Sequence, residues 1–222
     1  MKKITRLMIA TCVVSLAAAV NASAVTISGS DFSNGALVGA YNGTYVSTPS
    51  GHMTLAYTDP TDDAVVGAKG PFGTINGNNL SMSFTYSNLS GGGGNTPYAA
   101  FGLSDNGLWN GSGNEFLVIS LSADQQLNGA TTVHVFDEQT QAEYSPTLWG
   151  STLSSILSVT PSDSAVAFGD MQVMRAYAYI GSWPGVGNVS ADINSITIVP
   201  EPATISLLAM AVGGLVLIRR RK

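Results

Sequence analysis

The chain has 222 residues, of which 14 are acidic and 9 are basic, and its formal net charge is -5. Seven of the basic residues lie in the first six or the last four positions. Residues 25–200 therefore hold two basic residues against thirteen acidic ones, which gives this segment a net charge of -11. Nucleic acids and anionic membrane surfaces attract proteins through lysine and arginine, so the composition excludes both as partners of the middle segment.

The N-terminus has the three parts of a secretory signal peptide. Basic residues precede an apolar run over 7–20, and Ala22-x-Ala24 follows as the small-residue pattern that signal peptidase accepts. The basic residues are Lys2, Lys3 and Arg6. We predict a signal peptide over 1–24 that is cleaved after Ala24.

Cys12 is the only cysteine and suggests an alternative for this end. "IATC" resembles a lipobox in which Cys12 carries the lipid, but Thr11 fits that motif poorly and the apolar run continues beyond it. Cleavage after Ala24 removes Cys12, so the mature chain forms no disulfide. Export without cysteine indicates a Gram-negative envelope or exterior, and 25–199 is long enough to bury a core as one domain.

The C-terminus combines a proline-flanked acid, a short apolar run and four cations. Pro200, Glu201 and Pro202 precede sixteen residues over 203–218 that carry no charge. As a helix this run is about 24 Å long, against roughly 30 Å for the hydrocarbon core of a bilayer. The cations hold the C-terminus in the cytoplasm by the positive-inside rule, as the N-terminal cations do at the other end. They are Arg219, Arg220, Arg221 and Lys222. The acidic middle segment is therefore expected outside the cytoplasm.

This ending resembles the PEP-CTERM sorting signal, with its proline-glutamate-proline triplet, short hydrophobic helix and arginine-rich end. The resemblance implies processing by an exosortase, a membrane transpeptidase-like enzyme of bacteria that make extracellular polysaccharide. We therefore predict a sorting signal over 200–222, with a transmembrane helix at 203–218 that anchors the protein transiently in the inner membrane. The alternative is a plain membrane anchor. Two prolines around a glutamate would suit the start of an ordinary membrane helix less well than a single proline.

The middle segment has the pattern of an all-β protein. Short runs rich in alternating, β-branched or aromatic residues are separated by Gly, Asn, Ser, Asp and Pro. Met82, Phe84 and Tyr86 alternate with serine and threonine, which predicts one buried and one wet face. Nine strands are predicted, at 25–28, 53–57, 64–68, 80–87, 98–104, 115–121, 131–136, 172–180 and 193–199. This number favours an antiparallel two-sheet sandwich of jelly-roll type over a barrel.

One segment, "SPTLWGSTLSSILS", suits a helix better than a strand. Leu148, Leu153, Ile156 and Leu157 form one helical face, which predicts a short helix across a sheet edge or between strands. The stretch from Met171 to Pro202 resembles the closing strands of concanavalin-like or laminin-G-like sandwiches. That resemblance implies the fold and no particular activity.

The sequence lacks the usual patterns of a hydrolase. Glucanases of this fold carry E-x-D-x-E on one strand, whereas Asp137 and Glu138 are adjacent and Glu115 has no acid two or four residues later. No G-x-S-x-G is present, and only His52 and His134 are available as bases. Their spacing fits no zinc motif. We therefore predict that the protein is not an enzyme and has no catalytic residue.

A loop and three tryptophans are candidate ligand sites. "DPTDD" places Asp59, Asp62 and Asp63 in one turn, where they are candidate calcium ligands, although a solvated acidic turn is the more common role of such aspartates. Otherwise no cofactor is predicted.

Tryptophans beside glycine or small polar residues suggest loops, where exposed rings stack on sugars and nearby amides bind hydroxyls. These tryptophans are Trp109, Trp149 and Trp183, with Asp105, Asn106 and Asn110 beside the first. Trp109, Asn110 and Trp183 are the predicted carbohydrate-binding residues, although half-buried packing is the alternative role of such tryptophans.

These observations predict a non-enzymatic envelope or matrix protein that associates with extracellular polysaccharide. It would be exported through signal peptidase and sorted by exosortase to the cell surface or matrix. A lectin-like carbohydrate-binding module is the alternative, and a hydrolase with an unrecognised site is a third. Exposed aromatic residues aligned on one concave face would favour the carbohydrate-binding module, and two carboxyl groups roughly 5 to 10 Å apart in that cleft would favour the hydrolase.

Overall fold

Strands dominate the computed structural model, which describes residues 24–41, 44–47, 49–55, 63–91, 96–121, 125–140, 142–144, 148–181 and 188–200. Fourteen strands lie in these ranges. They are β1 Val25–Ser28, β2 Val38–Tyr41, β3 Thr44–Ser47, β4 Gly51–Leu55, β5 Asp63–Lys69, β6 Leu80–Gly91, β7 Tyr98–Ser104, β8 Glu115–Ser120, β9 Gln126–Leu127, β10 Thr132–Asp137, β11 Ala142–Glu143, β12 Ser151–Thr152, β13 Gln172–Gly181 and β14 Val189–Pro200.

The strands form two antiparallel sheets. The smaller sheet has the order β3-β4-β14-β6-β9, and β1 also pairs with β14. The larger sheet has the order β11-β10-β8-β7-β13-β5-β2, and β12 also pairs with β10. The predicted all-β antiparallel sandwich is therefore confirmed.

The core lies between the two sheets and follows the period-2 pattern of the sequence. Leu80, Met82 and Phe84 of β6 are buried against the inward residues of the larger sheet, such as Phe101 and Val118. Tyr86 is partly buried and contacts Phe84, with ring centroids 6.1 Å apart. The wet face predicted for β6 is likewise confirmed, because Ser81 and Ser83 lie on its outer side and are only half-buried.

β-bulges adjust which residues of the long strands face the core. The pairing of β14 with β6 shifts between Ile193 and Ser195, so Ile193 and Ile196 are both buried although they are three residues apart. A similar shift in β13 between Val173 and Arg175 buries Val173 and turns Arg175 outward. The second bulge helps to build the outer surface described below.

The predicted helix within 145–158 is present as α2, Leu153–Ile156, whose Leu153 and Ile156 are buried. A further single turn, α1, spans Ile75–Asn78, and 3-10 turns span Gly29–Ser33 and Phe168–Asp170. Among the described residues, no helix has the length and apolar character needed to cross a membrane. Residues 1–23 of the predicted signal peptide and the residues after Pro200 lie outside the described ranges.

Candidate functional site

The larger sheet carries a second apolar cluster on its outer side, away from the core. Its buried members come from four neighbouring strands, and four aromatic residues pack against them half-buried. The buried members are Val65, Ala100, Leu117, Ile119 and Tyr177, and the half-buried ones are Tyr98, Trp109, Phe136 and Tyr179. An outer sheet face is usually polar, so this cluster is the first candidate for a binding surface.

Strand register brings the aromatic residues together. Tyr177 and Tyr179 share a face of β13 because they are two residues apart, and Tyr179 pairs directly with Tyr98 of β7. Tyr177 lies over Gly67 of β5, where an added Cβ would collide with its ring. Burial raises the pKa of Tyr177 above its ordinary value, so its phenol remains protonated at neutral pH.

Trp109 closes one side of this cluster. Its ring lies over Gly102 of β7, where an added Cβ would be 2.8 Å from the ring, and meets Tyr177 edge-on at 6.4 Å between centroids. The guanidinium carbon of Arg175 is 5.8 Å from the centre of the same ring. Trp109 is therefore a half-buried packing residue rather than a free loop side chain.

The polar residues beside Trp109 shape its loop. Asn106 Oδ1 accepts the Leu108 N–H at 2.9 Å, and Asn110 Oδ1 accepts the hydroxyl of Ser112 at 2.5 Å. Asp105 accepts the backbone and side-chain N–H groups of Asn114 at 3.0 and 2.8 Å. These oxygens are committed within the loop, although Asn110 is itself exposed.

The two buried carboxylates of the larger sheet also hold turns in place. Glu115 Oε1 accepts the N–H groups of Asn110 and Gly111 at 2.6 and 2.7 Å. Asp137 Oδ1 accepts the N–H groups of two residues in the following turn, at 2.8 and 3.1 Å. Each carboxylate is at most 7 % exposed.

Trp149 is the more exposed of the two tryptophans in the described ranges. It is 42 % exposed and stacks on His134 of β10, with ring centroids 4.7 Å apart. His134 pairs with Ile119 of the outer cluster, so Trp149 extends that cluster toward the edge of the sheet. We define the outer aromatic face as Tyr98, Trp109, Phe136, Trp149, Tyr177 and Tyr179.

The position of His134 disfavours the protonated form of its side chain. Its Nδ1 atom is buried without a hydrogen-bond partner, and burial lowers its pKa to about 4. The unfolded chain binds this proton near pH 6.5, so the contribution of neutral His134 to stability is complete above pH 6.5 and is lost as the pH falls toward 4.

Replacing His134 with phenylalanine is expected to remove this pH dependence while keeping a ring against Trp149. The wild type should lose up to about 2 kcal/mol of unfolding free energy between pH 7 and pH 5 through this group, and His134→Phe should lose much less. The variant should also be no less stable at pH 7, because it removes an unpaired buried polar atom. Urea denaturation at both pH values measures the difference, and parallel losses in the two proteins would contradict the assignment.

The smaller sheet contains a hydrogen-bonded chain with the connectivity of a hydrolytic triad. Thr54 Oγ1 is 3.1 Å from His52 Nε2, and His52 Nδ1 is 2.5 Å from Asp192 Oδ1. Asn88 donates to Asp192 at 2.6 Å, and the hydrogen bonds from Asn88 and His52 lower the pKa of Asp192. Thr54 pairs with Thr44 on one side and with β14 on the other, so the backbone around it is engaged in the sheet. The geometry therefore favours a cross-strand hydrogen-bond network over an activated nucleophile. A hydrolytic site also needs free N–H donors that stabilise the oxyanion of the transition state.

A second candidate site is the end of the smaller sheet where β14 finishes. β1 pairs with the last part of β14, from Val25 opposite Ile198 to Ser28 opposite Ser195. On its other side β14 stays paired with β6 to its end, with Pro200 opposite Leu80. We call this region the exit corner and define it as residues 25–28, 80–81 and 195–200. It places the predicted signal-cleavage position, Ala24, next to the predicted start of the sorting signal.

Several predicted residues lie outside the described ranges. Trp183, Asp59 and Asp62 are among them, and Asp63 is described only as the first residue of β5. Among the described residues, no three His, Cys, Asp or Glu side chains converge as metal ligands. The calcium prediction and the role of Trp183 stay predictions.

Comparison with known proteins bears on the exit corner. Residues 199–222 match the family model of the PEP-CTERM protein-sorting motif. No characterised protein matches the chain. The motif indicates an exported protein that is anchored transiently in a membrane and processed by an exosortase. Its first two residues, Val199 and Pro200, are also the last two of β14.

Proposed function

We propose that this protein is a non-enzymatic component of the cell envelope or extracellular matrix that binds extracellular polysaccharide through the outer aromatic face. The sorting motif accounts for delivery. The observation that carries the binding proposal is the group of half-buried aromatic rings that packs around the buried Tyr177 on the outside of the larger sheet and ends at the exposed Trp149. Sugar C–H groups stack on such rings, and polar groups at their edges bind hydroxyls.

The cations of the domain support the same surface. Lys69 and Arg175 are the two basic residues within 25–200, and they are cross-strand neighbours on the outer side of the larger sheet. Lys69 Nζ donates to the Gly35 carbonyl at 2.6 Å, and Arg175 Nη1 donates to the Met174 carbonyl at 2.8 Å. Neither of them forms an ion pair with a carboxylate among the described residues. Their remaining N–H groups are suited to hydroxyl or carboxylate oxygens of a polysaccharide.

The roles of the acidic side chains support a function other than catalysis. Glycoside hydrolysis needs two carboxyl groups that flank one bond. Glu115 and Asp137 instead accept backbone N–H groups in separate turns. Asp192 joins β14 to its neighbours through His52 and Asn88.

Removing rings from the outer aromatic face is expected to weaken polysaccharide binding. We expect Trp149→Ala combined with Tyr98→Ser to weaken retention of the processed protein in a gel containing the host's exopolysaccharide at least tenfold, because each stacked ring contributes about 1 kcal/mol or more. Trp109 is left intact because its removal would open the packing over Gly102.

Leu89→Ala is the matched control, because Leu89 is 39 % exposed and lies on the smaller sheet. This variant should bind like wild type. Equal retention of the ring variant and of wild type would refute binding through this face, and loss of binding in both variants would refute its specificity.

A further inference from the structure

The sorting motif begins inside a folded strand. Val199 and Pro200 belong both to the motif and to β14, where they lie opposite Ser81 and Leu80 of β6. No spacer separates the sheet from the residues that the exosortase must recognise. Enzymes that act on peptide bonds commonly hold the chain extended through its main-chain groups. In the exit corner β14 is already paired with β6 up to Pro200 and with β1 up to Ile198.

β1 is the shortest of the three strands that pair with β14. It has four residues, and only Ile27 is buried, opposite Ile196. Val25 is 41 % exposed, and the hydroxyls of Thr26 and Thr197 meet at 3.2 Å on the solvent side. Short strands with few buried contacts open locally at low cost in free energy.

The chain after β1 sets a limit to such opening. Gly29 has a φ of 53° and starts the 3-10 turn in which Phe32 is 2 % exposed. The Phe32 ring lies against Gly51, where an added Cβ would be 2.9 Å away. Residues 25–28 can therefore separate from β14 while Phe32 keeps the rest of the chain in place.

We propose that pairing of β1 with β14 controls processing, because the exosortase engages the motif only after Thr197 to Pro200 leave the sheet. The proposal rests on the exosortase processing that the motif indicates, and it is independent of polysaccharide binding. In the closed exit corner the first residues of the motif are paired in the sheet, so the enzyme cannot bind them. Once β1 separates, the end of β14 is held in the sheet by β6 alone, so Thr197 to Pro200 can leave the sheet more readily.

A cross-strand disulfide tests this control in the full chain. Thr26→Cys with Thr197→Cys links β1 to β14 at facing, exposed positions whose hydroxyls are close enough for a disulfide with little backbone movement. The background is Cys12→Ser, so that no other thiol is present. Pulse-chase labelling in the exosortase-containing host follows conversion of the full-length chain. We expect the oxidised variant to be processed at least about tenfold more slowly than the same variant kept reduced.

The matched control links β14 to β6 farther from the exit. Thr85→Cys with Ser195→Cys joins two hydroxyl positions 2.7 Å apart and leaves Thr197 to Pro200 free to separate. Its processing should change less than about twofold on oxidation. Inserting Gly-Ser-Gly-Ser-Gly-Ser between Val199 and Pro200 of the locked variant should restore the wild-type rate, because the motif then lies clear of the sheet.

Each other result overturns the proposal in a recognisable way. If the locked variant is processed as fast as its reduced form, pairing of β1 with β14 does not control processing. Equal slowing by both disulfides assigns the effect to overall stability, and failure of the insertion to restore the rate excludes access to the motif as the cause. A wild-type chain that stays full-length overturns the sorting itself, whereas processing without polysaccharide retention overturns only the binding proposed above.

Discussion

Glu201→Ala, or deletion of residues 219–222, is expected to leave the protein full-length and retained in the membrane. The acid is the one charged group of the proline-flanked triplet, and loss of a buried charged contact with an enzyme costs about 2 kcal/mol or more, equivalent to at least tenfold in rate. We expect the four cations to fix the direction of the short apolar run, because its sixteen residues are few for a membrane span. Immunoblots of membrane and medium fractions from the native host measure both effects.

Two controls separate recognition from general damage. Glu143→Ala removes an exposed acid from β11 and should be processed normally. Replacing Arg219, Arg220 and Arg221 with lysine keeps the charge and should preserve orientation. Release of Glu201→Ala or of the truncated protein at the wild-type rate would contradict recognition of this motif by an exosortase.

Phe116→Ala is expected to be the most destabilising of the single substitutions proposed here. Phe116 is fully buried, and its ring meets those of Phe168 and Tyr144 nearly at right angles, with centroids 5.1 and 5.6 Å away. The three rings join β8 to the turn of Phe168–Asp170 and the chain after β11. Truncation should lower the unfolding free energy by about 3 to 5 kcal/mol and the melting temperature by roughly 10 °C.

Urea denaturation of the processed protein, followed by tryptophan fluorescence, measures this loss. Leu89→Ala serves as the control, and it should change the unfolding free energy by less than about 0.5 kcal/mol because Leu89 is exposed. A Phe116→Ala protein with nearly wild-type stability would show that the three rings do not form one packed cluster.

The fold was predictable to the extent that local patterns decide it. All nine predicted strands are present, with ends moved by a few residues, because alternation and turn residues act over short distances. β2, β3 and the two-residue strands β9, β11 and β12 were missed. Such short strands carry little pattern of their own, and pairing with a neighbour fixes them.

The candidate binding surface was predictable only in part. Glycine and small polar neighbours drew attention to Trp109, which the structure places at the outer aromatic face but half-buried. Trp149 was noticed and not selected, although it is the exposed ring. Tyr98 and Tyr179 gave no signal, since only the register of β7 against β13 makes them neighbours.

The sequence by itself determined that this protein is exported and sorted by an exosortase, and it determined the class of fold. Sorting signals work through local order and composition, as do amphipathic strands, so both can be read from neighbouring residues. Tertiary structure decided which side chains meet on the outer aromatic face and how the sorting motif is joined to the domain. Val25 and Ile198 are far apart in the chain, yet strand pairing makes them partners at the exit corner. Such contacts depend on the register of the whole sheet, which no short segment specifies.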